Sequence, residues 1–363
     1  MNRHVRRALL GLTSVATSTA LVAGAGISAP AQAATPAARS AAGWLASEIH
    51  RQNPFQQEGF PQYGPTLDAF FALSDLRLRK AARGDVLRTL EPDTYQYVGS
   101  DGESYAGPTG KLITAVQLQG RRIARYADGD LLDRLEALVD RNGADAGRAR
   151  DDSRWGDFSN TIGQQWVVRA LSQAKSPLAD EALGFLMEQQ CDAGWFRESM
   201  DSADSTCDGG TAGQSSPSVD ATAYAVRALL VARRNGVNPD PAAMRTALRS
   251  AGRWLASVQR PNGAFRGAGA VSSDSTGLAA VALDALGRDA RALKAARWIK
   301  KNQVTLKVVR KTALKKRDLG AVAPTRLALK QAKKDGIGAS RINWRIATAQ
   351  AGPALDLLRR ARR

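Results

Sequence analysis

Cysteine and histidine are scarce, with two of each in 363 residues. The cysteines, Cys191 and Cys207, stand too far apart for a Cys-x-x-Cys metal or redox site. Long apolar runs are also lacking. Beyond the N-terminal stretch none approaches the ~18 residues that span a bilayer, which excludes a further membrane anchor. Strand signals are nearly absent, so the chain reads as all-α. Net charge is missing from the first four-fifths. The formal charge is +18, and between Arg288 and Arg363 stand 22 Lys/Arg against 4 Asp/Glu. That leaves 30 of each sign elsewhere, 52 less 22 and 34 less 4, which cancel.

What is present begins with Arg3, Arg6 and Arg7, followed by the apolar stretch ALLGLTSVATSTALVAGAGI and the small-x-small triplet Ala31-Gln32-Ala33. That order marks residues 1–33 as a cleaved secretory signal peptide. Arg6-Arg7 also fits a twin-arginine export signal. No cysteine stands at the cleavage point, so lipid attachment is not expected. The mature chain is expected outside the cell or at the wall. There an even cysteine count reads as one disulfide, Cys191 to Cys207. The basic final fifth predicts salt-sensitive attraction to polyanions, such as a cell-wall polymer or an acidic polysaccharide. A solvated helical face is the alternative. Nucleic acid is not an expected partner, because no nucleic-acid-binding motif accompanies the charge.

An internal repeat organises the mature part. Its unit is an aromatic-Leu/Ile pair, a Gln five residues after the aromatic, then Gly and an aromatic. Copies are Phe185-Leu186, Gln190, Gly194-Trp195-Phe196 and Trp254-Leu255, Gln259, Gly263, Phe265. Trp298-Ile299 with Gln303 repeats the first half, and Trp44-Leu45, Gln52, Gly59-Phe60 is a looser copy. Each aromatic-Leu/Ile pair ends a stretch with apolar residues at helical spacing. After each turn comes a second, more uniformly apolar helix: PTLDAFFALSDL, PTGKLITAVQLQG, FSNTIGQQWVVRALSQA, PSVDATAYAVRALLVA, SSDSTGLAAVALDAL and APTRLALKQAKK. Uniform apolarity places these inside and the first helices outside. The expected architecture is a closed ring of about six inner/outer helix pairs, an α/α toroid over 34–335. A basic C-terminal segment, 336–363, packs on or extends from it.

The aromatic-Leu-x-x-x-Gln and Gln-x-x-x-Gly-x-Trp/Phe elements resemble the repeats of squalene-hopene cyclases and protein prenyltransferase β-subunits, from about Gly43 to about Gln331. The resemblance implies the toroid fold, whereas the catalytic motifs do not carry over. No DxDD is present, since Asp128-Gly129-Asp130 ends in Leu131, and DDxxD is missing. Where prenyltransferases place a zinc-binding DxC, this chain has Asp220-x-Thr222, copied as Asp274-Ser275-Thr276. A hydroxyl does not replace a thiolate on zinc, and the only mature histidine is His50. No metal, cofactor or catalytic residue is expected.

The expected function is that of a secreted, non-catalytic binding protein, a monomer that takes a small or apolar ligand or an anionic surface polymer. The alternative is a cyclase-like or carbohydrate-active enzyme that uses rim carboxylates. Inner helices that start alike present their N-termini at one end of the ring. Asp68, Asn160, Asp220 and Asp274 then form a polar rim, read either as helix caps or as a binding site with Thr222 and Thr276. Phe70, Trp166 and Tyr224 are read as walls below it or as core filler. The acidic loop from Asp192 to Gly210 is oxygen-rich but matches no EF-hand spacing. Asp151, Asp152 and Asp157 are a further carboxylate group, with no spacing that makes them face one another.

Overall fold

The structure, a computed structural model, describes residues 33–200, 206–207 and 216–362. The signal peptide expected over 1–33 thus lies almost wholly outside the described residues, as does much of the acidic loop. Ala34–Arg363 is one compact unit. Its first half holds α1 (Pro36–Arg51), α2 (Tyr63–Asp75), α3 (Lys80–Leu90), α4 (Thr94–Val98), α5 (Ala106–Leu118), α6 (Leu131–Ala137), α7 (Thr161–Ala174) and α8 (Ala179–Glu188). Its second half holds α9 (Val219–Arg234), α10 (Pro241–Val258), α11 (Ser273–Ala285), α12 (Asp289–Lys300), α13 (Leu306–Val309), α14 (Arg326–Asp335) and α15 (Arg341–Ala351). A 3-10 segment, Pro353–Arg362, follows. The strands form three short antiparallel hairpins, β1/β2 (Gln56–Gln57, Phe60–Pro61), β3/β4 (Phe196–Arg197, Pro217–Ser218) and β5/β6 (Phe265–Arg266, Val271–Ser272).

α2 packs on α5, α5 on α7, α7 on α9, α9 on α11, α11 on α15, and α15 back on α2. These six helices close an inner ring, and α1, α3, α6, α8, α10 and α12 lie outside it. Burial follows the layers. α10 buries a stripe, Met244, Ala247, Leu248, Ala251, Gly252 and Leu255, as a surface helix does. α9 buries Ala221 to Val226 without a break. The sequence expectation fails at the sixth pair. APTRLALKQAKK was expected inside, but α14 buries only Leu329 and Ala332 and leaves Leu327 74% exposed. The sixth inner helix is α15, from the segment expected to pack on or extend from the ring.

The repeat is a clamp between neighbouring pairs. The Gln190 side-chain amide donates to the Gly194 carbonyl (2.9 Å) and to Ala247 of the next outer helix (3.0 Å). Gln259 does the same with Gly263 (3.1 Å) and Arg291 (2.9 Å). Gln303 reaches Gly320 (3.2 Å) and, across the ring seam, Ala37 of α1 (2.9 Å). Gln164, with no aromatic-Leu pair before it, joins Gly147 (2.8 Å) to Ala182 (3.1 Å). The turn glycine has to be glycine. Gly263 has φ +94°, and a Cβ there would lie 2.5 Å from the Lys294 carbonyl.

A threonine on the next inner helix completes four of these turns. The backbone N–H groups of Phe55, Phe196, Phe265 and Val322 donate to the hydroxyls of Thr66 (2.9 Å), Thr222 (2.9 Å), Thr276 (3.0 Å) and Thr348 (2.9 Å). Those hydroxyls donate in turn to the carbonyl four residues earlier. Cys191 and Cys207 form the expected disulfide.

Candidate functional site: the acidic mouth of the ring

Inner helices begin at one end of the ring, and their caps decide which side chains are left free. Ser218 and Ser272 cap α9 and α11, accepting from Ala221 N–H (3.1 Å) and Ser275 N–H (3.1 Å). Asp220 and Asp274, the second residues of these helices, are therefore not the caps. Both carboxyls keep a buried Oδ1 with no hydrogen-bond partner. Asn160 is a true cap of α7, its Oδ1 accepting from Gly163 N–H (2.9 Å). Asp68 lies inside α2 and pairs with Lys111 of α5 at 2.6 Å. The Lys111 ammonium also donates to the Gly64 carbonyl (3.0 Å) and sits 5.6 Å from the Trp166 ring.

Electrostatics tie the carboxyls together. Burial first, then the negative charges of Asp220 and Asp68, push Asp274 up to about 7. Asp220 is also raised, by burial and by Glu198, against a hydrogen bond from Ser275. Next to them lies a cluster of aromatic rings. Trp166 stands 4.4 Å from Phe71 and 6.1 Å from Tyr224, ring centre to ring centre. A cleft of about 220 Å³ opens beside this cluster, bordered by Asn160, Trp166, Lys111, Tyr97 and Asp151.

Of the residues singled out from sequence, Asp68, Asn160, Trp166, Asp220, Tyr224 and Asp274 share this mouth. Thr222 and Thr276 do not. Both are fully buried, and their hydroxyls are used by the turns described above. Phe70 packs edge-on against Phe71, and it is Phe71 that meets Trp166. The Asp151 group is scaffold. Asp151 Oδ1 accepts from Ala106 N–H at the start of α5 (2.8 Å), and Asp152 exchanges backbone hydrogen bonds with Ser104. Burial works against Asp157, yet hydrogen bonds from Asp151 and Ser159 and the charge of Arg148 hold it below the usual carboxylate range. Sequence reading missed Lys111, because its partner Asp68 stands on a different helix and no local spacing links the two.

This architecture is an α/α toroid with a carboxylate-rich mouth beside an aromatic cluster. The fold is shared with solved structures. An α-1,6-mannanase of Salegentibacter sp. HEL1_6, determined with α-1,6-mannotriose, superposes with TM-score 0.59 at 11% identity, over 89% of this chain and 99% of that one. A type II terpene cyclase from Scytonema gives 0.56 at 14% identity, covering 88% and 99%. An unsaturated glucuronyl hydrolase specific for heparin gives 0.58 at 11%, covering 90% and 96%. Identities this low establish the fold alone. No protein-family model matches the chain, and no curated protein matches it by sequence.

Proposed function

We propose that the chain is an exported binding protein that takes a hydroxyl-rich small ligand, such as a short saccharide, at the acidic mouth. The observation that carries this is the convergence of carboxyls from three inner helices, α2, α9 and α11, two of them with unpartnered oxygens, next to Phe71, Trp166 and Tyr224. Carboxylate oxygens accept hydrogen bonds from hydroxyls, and aromatic faces pack against the C–H faces of a sugar ring. An acceptor-rich wall favours a hydroxylated ligand over a purely apolar one. Export through residues 1–33 and retention on an anionic wall polymer by the basic final fifth belong to the same reading.

One observation favours a second reading, cleavage of a glycosidic bond. Asp274, raised to about 7, is a carboxyl poised to give a proton at neutral pH, with the Asp220 carboxyl beside it. Calorimetric titration of α-1,6-mannotriose and heparin-derived disaccharides into wild type, Asp220→Asn and Asp274→Asn tests both. Saturable heat that weakens at least tenfold in Asp220→Asn, with the sugar recovered intact, supports binding. Product formation that vanishes in Asp274→Asn supports cleavage. Absence of heat and of product with every sugar, in protein that melts cooperatively, overturns both.

A further inference from the structure

The opposite end of the ring holds a second cavity, of about 800 Å³. It is built where the inner helices end. Six arginines and three aspartates line it, and their pairing is uneven. Arg227 donates to both oxygens of Asp75 (2.9 and 2.7 Å). Asp356 is paired with Arg359, and Asp284 also has an interaction partner. Arg77, Arg233 and Arg234 have no ion pair among the described residues but are exposed to solvent. Arg169 differs in being buried: it is 4% exposed, its Nε and Nη1 have no hydrogen-bond partner, and no carboxylate lies within ion-pair distance among the described residues.

Its neighbours make this more acute. The guanidinium lies 4.2 Å from the Trp166 ring and 5.4 Å from Phe71. Burial first, then the positive charge of Arg227, lower its pKa to about 9; the charge of Asp75, already bound by Arg227, offsets this only in part, and Arg169 remains charged at neutral pH. A buried charge without a partner is costly unless a counter-charge is supplied. Helix C-termini call for cations, and that accounts for Arg233 and Arg234 in the last turn of α9. It does not account for Arg169, which sits in the body of α7 and reaches the same cavity. A guanidinium lying over an indole meets the ring through its charge, and its N–H groups remain as donors for the oxygens of an acceptor that enters from the cavity.

We infer that this cavity is an anion site in which Arg169 holds the oxyanion, carboxylate or phosphate, of a small organic molecule. Arg234 adds charge at the cavity wall, and Arg227 is held in place by Asp75. The site is separate from the acidic mouth, with the Phe71–Trp166–Tyr224 layer between them.

The test is thermal melting of the mature, disulfide-bonded chain against increasing sodium benzoate or inorganic phosphate, with chloride holding ionic strength constant. In wild type the melting temperature rises and saturates with at least one of the two anions, as it does when a ligand binds only the folded state. Benzoate alone identifies a planar carboxylate, and phosphate alone identifies a phosphate ester. Arg169→Met abolishes the rise. Arg169→Lys keeps the charge without the fork and shifts half-saturation at least tenfold higher, which preserves the test if the methionine variant fails to fold. A variant with Lys315, Lys316 and Arg317 changed to Glu keeps the wild-type response, separating this site from the basic surface. No saturable rise in wild type, or an equal rise in Arg169→Met, overturns the proposal.

Discussion

At the scale of single residues, position along an inner helix sorts chemistry along the ring axis. On α7, capped by Asn160, Trp166 and Arg169 follow at helical spacing, and on α9 Asp220, Tyr224, Arg227 and Arg234 do the same. Each series runs from acceptors at the N-terminal mouth, through an aromatic layer, to cations at the far end. Acids at helix starts and bases at helix ends complement the helix dipoles, so the polarity costs the fold little. Asp274 carries a measurable consequence. Its folded pKa of about 7 lies above its ordinary 3.8, so the native state holds this proton more tightly than the unfolded chain. The stability gained is complete below the ordinary value and lost as pH rises through about 7. Asparagine imitates the protonated carboxyl at every pH. Asp274→Asn should therefore melt close to wild type near pH 4 and above it near pH 8. Melting curves across that range check this; a pH-independent offset would remove Asp274 as a titrating group of the mouth.

Among the elements, the outer helices α1, α8, α10 and α12 were legible from the aromatic-Leu, Gln and Gly repeat, and five of the six inner ones from their apolar stretches; α3 and α6, which carry no aromatic-Leu pair, were not. The sixth inner helix was not legible either, and the reason is chemical. RINWRIATAQA reads as polar because of Arg341 and Arg345, but both guanidinium groups turn onto the fully buried Glu48 of α1. Hydropathy has no means of recognising an internal ion pair. APTRLALKQAKK looked internal through its Thr325 cap, which is real, although the helix it starts lies on the surface. At the mouth the aspartates were visible, whereas Arg169 was not, since an arginine on a helix is ordinarily solvated. The clamp itself is testable by comparing two glycines with positive φ. A Cβ on Gly263 would press on the Lys294 backbone, and one on Gly269 (φ +83°) would meet nothing within 4 Å. Gly263→Ala should cost roughly 1–3 kcal/mol more than Gly269→Ala, the price of overpacking. Chemical denaturation of both variants measures the difference. Equal losses would mean that the turn and α12 are not held as tightly as the contact implies.

For the molecule as a whole, the ring is closed by charge and its outside is made one-sided by charge. Burial alone would raise Glu48, but the hydrogen bonds and charges of Arg341 and Arg345 outweigh it and hold the carboxyl below its ordinary 4.5. Its contribution is present above that value and lost as pH falls through the lower folded one. Glu48→Gln should lose about 3–5 kcal/mol at pH 7, as expected for a broken buried pair, and the deficit should shrink toward pH 3 in equilibrium denaturation. The neighbouring Asp318 is also turned inward, onto Arg341 at 3.1 Å. Of the acids between Leu306 and Asp335, only Asp335 therefore faces solvent, against ten lysines and arginines, all of them exposed. Lys315, Lys316 and Arg317 form one exposed run within this surface. A field of one sign attracts polyanions and weakens as salt shortens the screening length from about 30 Å at 0.01 M to about 8 Å at 0.15 M. Wild-type protein should be retained on isolated cell-wall sacculi at low salt and released near physiological salt. Changing the three residues to Glu alters the local charge by six units, so retention at low salt should fall several-fold with the melting temperature unchanged. Co-sedimentation at the two salt concentrations, for wild type and variant, measures this. Equal retention in all four conditions would leave the basic surface as a solvated outer layer of the ring.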